Sequence, residues 1–365
     1  MLAAFALIVA CTSSTEKDAE LRAHADAIHK ECITLDSHTD SAMHLIRKNE
    51  DPAKMQVNFD KMQKGGMDVV FFAIYVGQGP RDAATLKAKE QFANDCIFKF
   101  KRYVDEHADQ AAIAYNTRDI RKYKAEGKAI GVLAIENGYV IGKDISNVEK
   151  FYNMGVRCMT LSHNYNNDIC DASRDSVAEW HGLSPFGEQV VAEMNRVGMI
   201  VDVSHTSTET LYDCIRLSKA PIVCTHSCVW NIKDHPRNLK DDEIKAIAEK
   251  GGVIQVTTGR WALSWQPREK VNISSFCDHA DYIKNLVGAE HVGMGTDFDG
   301  GGGMNGFEDC TKVKDITMEL IRRGWTDEEL KLFWGENFMR VMDEVQRVAY
   351  AIQDGEKVVE NYEDD

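Results

Sequence analysis

The amino-acid sequence predicts a parallel α/β barrel of eight strands, a (β/α)8 TIM barrel, from three observations. Eight short apolar, β-branched runs recur along the chain, amphipathic segments separate most of them, and six of the eight runs end in His, Asp or Glu. Continuous apolar character marks strands buried on both faces, and strands alternating with helices give the barrel order. In such a barrel every strand opens at its C-terminal end onto one face, where enzyme sites are built.

The elements follow in order. Met1–Ala10 is an apolar run, too short to cross a bilayer, followed by Cys11 and a polar stretch to Asp18. A hydrophobic core, a small residue, a cysteine and a polar tether resemble a bacterial lipoprotein signal, although no basic segment precedes the run. The expectation is a leader and tether over 1–20, lipidation at Cys11, and a single barrel domain with C-terminal helices over 21–365. That makes an exported bacterial protein, periplasmic or in the cell envelope, touching the membrane only through its lipid. Strands are predicted at Cys32–Leu35, Val69–Val76, Ile130–Ile135, Val156–Leu161, Met199–Val203, Pro221–Cys224, Gly252–Thr258 and Val292–Gly295. Helices are predicted at Pro185–Val197, Ser207–Leu217, Asp241–Glu249 and Cys277–Leu286, several behind a Ser or Asp able to cap. No GxGxxG follows the first strand, which argues against a doubly wound sheet.

With 44% hydrophobic residues and only 6 prolines in 365, the chain can bury a substantial core. The 58 acidic against 43 basic residues leave a formal charge of −15 without a basic stripe, which excludes nucleic acid and an anionic membrane surface as partners. A metal or a small cationic group is compatible with it. The 10 cysteines form no CxxC pair, so neither a zinc ribbon nor a cystine framework is indicated, and most read as small core residues. Cys224 and Cys228 flank His226, but Cys224 lies within a strand and reads as core.

The strand ends carry the chemistry: Asp36-Ser37-His38-Thr39-Asp40, Glu136-Asn137, Ser162-His163-Asn164, Ser204-His205, Thr225-His226-Ser227 and Thr296-Asp297-Phe298-Asp299. Histidines and carboxylates converging in one mouth are ligands for a divalent ion, zinc by preference, with carboxylates enough for two. In an extended Asp-x-His-x-Asp run, alternate residues share a side, so His38 and Asp40 can grip one ion. Asp36 reads as an outer support for a histidine tautomer or a backbone amide. His24, His29, His44, His107, His181, His235, His279 and His291 read as solvated.

With these motifs, together with Pro236-Arg237-Asn238, Gly295-Thr296-Asp297-Phe298-Asp299-Gly300 and Gly335-Glu336-Asn337-Phe338, the chain resembles the membrane (renal-type) dipeptidases from about Cys32 to Val341. The resemblance implies two zinc ions, with His38 and Asp40 on the first, Glu136 bridging both, and His205 and His226 on the second. It further implies a zinc-dependent dipeptidase in which a hydroxide bridging the metals attacks the peptide bond. His163 would bind the oxyanion, Asp297 would move the proton to the leaving nitrogen and engage the substrate amine, and Arg237 would face the substrate carboxylate. A D-residue at the C-terminal position and a homodimer are also expected from relatives. For Arg237 the competing reading is a surface ion pair among Asp234, Asp241 and Asp242. Where relatives place an aromatic carboxylate-binding residue after strand seven, this chain offers Thr258, Arg260 or Trp261. Gly300–Gly303 lacks the Lys-Ser/Thr ending of a phosphate loop and is assigned no ligand. The alternatives are another binuclear barrel amidohydrolase, acting on a lactone, cyclic amide or phosphoester, and a lipid-anchored binding protein without catalysis.

Overall fold

The computed structural model describes residues 14–47 and 50–355. Cys11 and the apolar run before it lie outside the described residues. Among the described residues no helix is long and apolar enough to cross a membrane. The helix Ser14–Glu31 begins inside the stretch read as a tether.

Among the described residues nine parallel strands are present: β1 (Leu35–Thr39), β2 (Val69–Tyr75), β3 (Ala111–Ile113), β4 (Ala129–Glu136), β5 (Val156–Thr160), β6 (Ile200–Asp202), β7 (Val223–Ser227), β8 (Val253–Val256) and β9 (Val292–Met294). Eight of them run in the order β1-β2-β4-β5-β6-β7-β8-β9, the expected barrel. The ring closes through a Thr39 to Phe298 bridge, where Asp297 N–H donates to His38 O at 3.0 Å and Asp40 N–H to Phe298 O at 2.9 Å. Closure therefore falls on the ligand motifs themselves. β3 has no counterpart in the sequence reading; its three residues are too few to show a pattern. It pairs with the first residues of β4, on the side that β5 occupies from Leu133 onward.

The first strand is displaced from its predicted place. The apolar run Cys32–Leu35 only leads into β1, and the strand proper is the polar Leu35–Thr39, buried throughout. His38 thus sits in a strand rather than in the loop after it, which fixes its backbone on both sides. The predicted helices hold. Pro185–Val197 starts on Ser184, whose side chain accepts from Gly187 N–H, has Pro at its first turn, and stops at Gly198 in the left-handed region (φ 90°).

Two apolar layers hold the barrel. The outer one packs the strands against the surrounding helices. The inner one joins Leu35, Val69, Phe71, Ile130, Val132, Ile200, Val223 and Val253 to the apolar face of the C-terminal helix Asn337–Gln353. Phe71 meets Phe338 edge to face at 4.9 Å. This helix closes the barrel opposite the mouth, the side that in this fold serves stability.

All nine described cysteines are buried and free, Cys224 among them, as expected of core residues. The solvated reading fails for two histidines. His29 packs against Trp334 and bonds Thr317 Oγ1 at 2.6 Å; His279 accepts from Val229 N–H and donates to Leu263 O at 2.9 Å. Burial lowers both to a pKa of about 4. Their contribution to stability therefore has a definite sign. Above pH 6.5 both are neutral in either state; as pH falls from 6.5 towards 4 the unfolded chain takes up protons that the fold refuses, at about 3 kcal/mol each in the limit. We expect the urea midpoint to fall between pH 7 and pH 5, less steeply in His29→Gln. Equal slopes for variant and wild type would rule out this contribution.

Candidate metal centre

Strand register assembles the mouth. Tyr75 of β2 pairs with Glu136 of β4, Glu136 with Thr160 of β5, and Thr160 with Asp202 of β6, so four strand ends stand in one row. Around Glu136 Oε1 lie the Nε2 atoms of His205 at 3.2 Å, His226 at 3.4 Å, His38 at 3.7 Å and His163 at 3.9 Å. His205 and His226 Nε2 are 2.9 Å apart.

Whether a metal fits can be judged from this geometry. Donors on a tetrahedral zinc, with bonds of ~2.0–2.1 Å, stand about 3.3 Å from one another, close to the spacing of Glu136 Oε1 and these two imidazoles. His38 Nε2 and Asp40 Oδ1 are buried without a protein hydrogen-bond partner. Three overlapping groups place their ligand atoms within 4.8 Å of one another: His38, Glu136 and His226; Glu136, His163 and His205; and His38, Asp40 and Asp297. All five expected ligands fall in this cluster. His226 groups with His38 and Glu136, and His205 with Glu136 and His163, whereas the resemblance implied His205 and His226 on one ion; their Nε2 atoms are 2.9 Å apart.

Electrostatics agree with ligation at Glu136, His205 and His226, whereas at His38 burial is outweighed by the carboxylates of Glu136, Asp40 and Asp297, which raise it to about 10. Burial opposes ionisation of Glu136, but the facing imidazoles of His38 and His163 outweigh it and hold the carboxyl well below its ordinary range. Burial lowers His205 well below 6.5 and His226 to about 3, so both are neutral, the state in which imidazole binds metal. Burial, reinforced by Glu136, raises Asp40. His163 is lowered chiefly by burial.

The supports lie one layer out. Thr225 Oγ1 donates to Asp202 Oδ2 at 2.6 Å and lies 2.9 Å from His226 Nδ1. Its hydrogen being committed, the hydroxyl oxygen accepts from Nδ1–H, which frees Nε2 for a metal. Asp202 Oδ1 also takes the amides of Ser204 and Thr225. Asp36 does the same across the closure, accepting from Thr296 N–H, Thr296 Oγ1–H and His38 N–H. Of the two roles open to Asp36, it fills the backbone one. Neither Asp202 nor Thr225 was singled out from the sequence, although a lone Asp closing an apolar run was the signal. The backbone is strained here too: Asn137, His205, Asp297 and Asp299 all have φ between 59° and 85°.

A cavity of about 510 Å³ opens above the cluster, lined by Asp40, Tyr75, Glu136, His163, His205, His235, Arg237, Trp261, Asp297 and Gly300 among others. Arg237 is buried, donates from Nη2 to His226 O at 3.0 Å, and has no carboxylate partner among the described residues. The surface ion-pair reading fails because Arg237 is buried, while Asp241 is engaged by Tyr282 and Asn231 and Asp242 by Tyr212. Of the three candidates after β8, only Trp261 lines the cavity, beside His235 at 5.0 Å. Thr258 Oγ1 donates to Thr296 O, and Arg260 Nε to Gly303 O.

Residues 22–356 match the model of the membrane dipeptidase family, peptidase family M19. The chain belongs to this family. A dipeptidase of Aspergillus oryzae, aclJ, is 31% identical over 335 residues, 87% of this chain and 79% of that protein. The probable dipeptidase PvdM of Pseudomonas aeruginosa superposes with a TM-score of 0.84 at 28% identity, over 91% of this chain and 100% of that one. A metallopeptidase of Rhodobacter sphaeroides, bound to a phosphinate mimic of L-Ala-D-Ala, shares the fold at 23% identity and a TM-score of 0.79, over 86% of this chain and 100% of that one. This membrane dipeptidase family member is therefore a metal-dependent dipeptidase on an α/β barrel.

Proposed function

We propose that this membrane dipeptidase holds two zinc ions, one on His38 and Asp40, one on His205 and His226, with Glu136 between them. The observation that carries the reading is the ring of four imidazole nitrogens about one Glu136 oxygen, at the floor of a cavity walled by Arg237 and Trp261. Bound there, the ions supply Lewis acidity and a water acidified to near neutral pH, with no serine or cysteine nucleophile required.

The chain's own groups do the remainder. Arg237, buried and without a counter-ion, anchors the dipeptide carboxylate with a planar guanidinium. His163 stands 3.9 Å from Glu136 and packs on Tyr75 at 4.9 Å, so its ring is held over the reacting carbonyl as an N–H donor to the developing oxyanion. Asp297, raised to about 7 by burial, exchanges a proton near neutrality and hands it to the leaving nitrogen while facing the substrate amine. Trp261 closes the side on which the C-terminal residue sits. A D-residue there is accepted, in line with the L-Ala-D-Ala mimic bound by the fold neighbour from Rhodobacter sphaeroides.

Metal analysis together with a dipeptide panel tests this: two zincs per chain and chelator-sensitive release of amino acids are expected. Turnover of a lactone or phosphoester with no dipeptide cleavage would favour another barrel hydrolase. Bound solute without turnover would favour a binding protein. Asp297→Asn should keep its metal and lose about 10²- to 10⁴-fold in kcat. An unchanged kcat refutes the proton role.

We also assign residues 1–20 to a leader and tether and 21–365 to one domain, with Cys11 lipidated, export to a bacterial envelope, and homodimers. These rest on the sequence pattern and on the family resemblance. Mass spectrometry of the native N-terminus and light scattering check them; an unprocessed Met1 would remove the anchor.

A further inference from the structure

The cavity above the metal cluster is lined by three arginines, Arg47, Arg174 and Arg237. Two of them have a use. Arg47 faces Glu50 at 3.9 Å, and Arg237 is the anchor proposed for the main-chain carboxylate of the substrate. Arg174 is exposed, and among the described residues its guanidinium has neither an ion-pair partner nor a hydrogen bond. The acids around it are engaged. On its own loop Asp171 accepts from the amides of Glu179 and Trp180, Asp175 accepts from Asn166 N–H, and Glu179 pairs with Arg81. In the cavity Asp40 and Glu136 belong to the metal cluster, and Asp299 accepts from Ser41 Oγ–H and Gln56 N–H.

Backbone contacts place this arginine. The Ser173 amide donates to His205 O at 2.7 Å and the Ser207 amide to Asp171 O at 3.0 Å, which ties the loop to the segment that follows β6. Arg174 lines the substrate cavity, while its neighbours Ser173 and Asp175 line the cleft beside it. A second donor stands on the same wall. Burial, with Arg237 and Arg174 nearby, lowers His235 to about 4, so the imidazole is neutral. Its Nδ1 accepts from Arg237 N–H at 3.2 Å, which leaves the ring hydrogen on Nε2, a donor without a partner among the described residues. The ring packs on Trp261 at 5.0 Å, and the Arg237 guanidinium lies over the same indole at 5.6 Å. His235 therefore belongs to the end of the cavity where Arg237 meets the main-chain carboxylate, beside the C-terminal residue of a dipeptide.

We propose that Arg174 and His235 form the side-chain subsite for that C-terminal residue, and that the preferred substrates are dipeptides ending in Asp or Glu. A carboxylate is the group that answers an unpaired guanidinium and a neutral imidazole N–H together, since it accepts from both and cancels the charge of one. The same wall discriminates against a basic side chain, which would be held near Arg174 and Arg237 with no acid free to offset them. Because Arg174 is exposed, solvent screens part of the attraction, and the preference is one of degree.

The inference rests on Arg237 holding the main-chain carboxylate. Rates on isosteric pairs read the side-chain charge. For alanyl-aspartate against alanyl-asparagine, with the C-terminal residue in each configuration, we expect kcat/KM to favour the acid by about 10-fold in at least one of them, through KM. Aspartyl-alanine should gain nothing over asparaginyl-alanine. Arg174→Gln should bring the first ratio to within about twofold of one, and Arg174→Glu should turn the preference from alanyl-aspartate to alanyl-lysine. Both variants should fold, because the side chain they replace makes no contact that the fold uses. A wild-type ratio near one, a preference that persists in Arg174→Gln, or a preference for acid at the N-terminal residue alone would each overturn the inference. The anchor is read separately: alanyl-alanine and its C-terminal amide cleaved equally well would sink the role of Arg237 and leave the aspartate-to-asparagine ratio to decide that of Arg174.

Discussion

Glu136→Gln should abolish dipeptide hydrolysis and, with the two-zinc centre proposed above, reduce bound zinc from two ions to one at most. The residue is 2% exposed, at the end of the longest strand of the barrel, and its Oε1 stands within 3.9 Å of four imidazole nitrogens. A carboxylate between two cations offsets their repulsion, whereas the isosteric amide carries no charge and turns an N–H₂ donor towards one of them. Losing several kcal/mol of charge stabilisation at the reacting centre corresponds to about 10³-fold or more in kcat/KM. The fold should survive, because Glu136 joins β4 to its neighbours through backbone and the substitution keeps its volume. Metal content by plasma spectrometry and initial rates on one dipeptide read the outcome. A variant that keeps two zincs and a tenth of wild-type activity would show that the bridge is elsewhere.

Glu136 was legible in the sequence because a charged residue closing a run as apolar as Ala129–Ile135 has few structural uses. The same contrast exposed His38, Asp40, His205, His226 and Asp297, and the structure brings them into one cluster. Arg237 was harder. Its neighbours in sequence are acids, and only the fold shows that Asp241 and Asp242 pair with Tyr212, Asn231 and Tyr282 while the guanidinium turns inward. His29 and His279 were misread for a related reason. They lie on helices of mixed polarity, and whether a helical histidine meets water or a carbonyl depends on a neighbour distant in the chain. β3 escaped notice because three residues cannot display a period. Least legible were the supports, Asp202 and Thr225. Their roles arise from contacts across strands, which a linear pattern does not encode.

Gly300→Ala should be nearly as damaging as loss of a ligand, although glycine carries no chemistry. The residue lines the cavity in the loop after β9, and a Cβ there would overlap Asp40 Oδ2 and lie 2.6 Å from Asp297 Oδ1. With both backbones held, either carboxylate can yield only by turning its side chain away from the cluster. The Asp40 backbone is tied to Phe298 O, and Asp297 sits in the left-handed region (φ 59°) with its amide bonded to His38 O and its carbonyl accepting from the amides of Gly300, Gly301 and Gly302. One methyl group would therefore push on the proposed metal ligand Asp40 and the proposed proton-transfer acid Asp297 together. A displacement of about 1 Å at a reacting centre can cost 10²-fold, so kcat/KM should fall by about that factor or more. Zinc should bind more weakly on the Asp40 side. Thermal stability should change little, because the loop tip carries none of the inner or outer apolar layers. That separation makes the test specific: a destabilised variant points to general misfolding, and a stable one with wild-type kcat/KM shows that the loop moves aside and that its glycine is not required by the site.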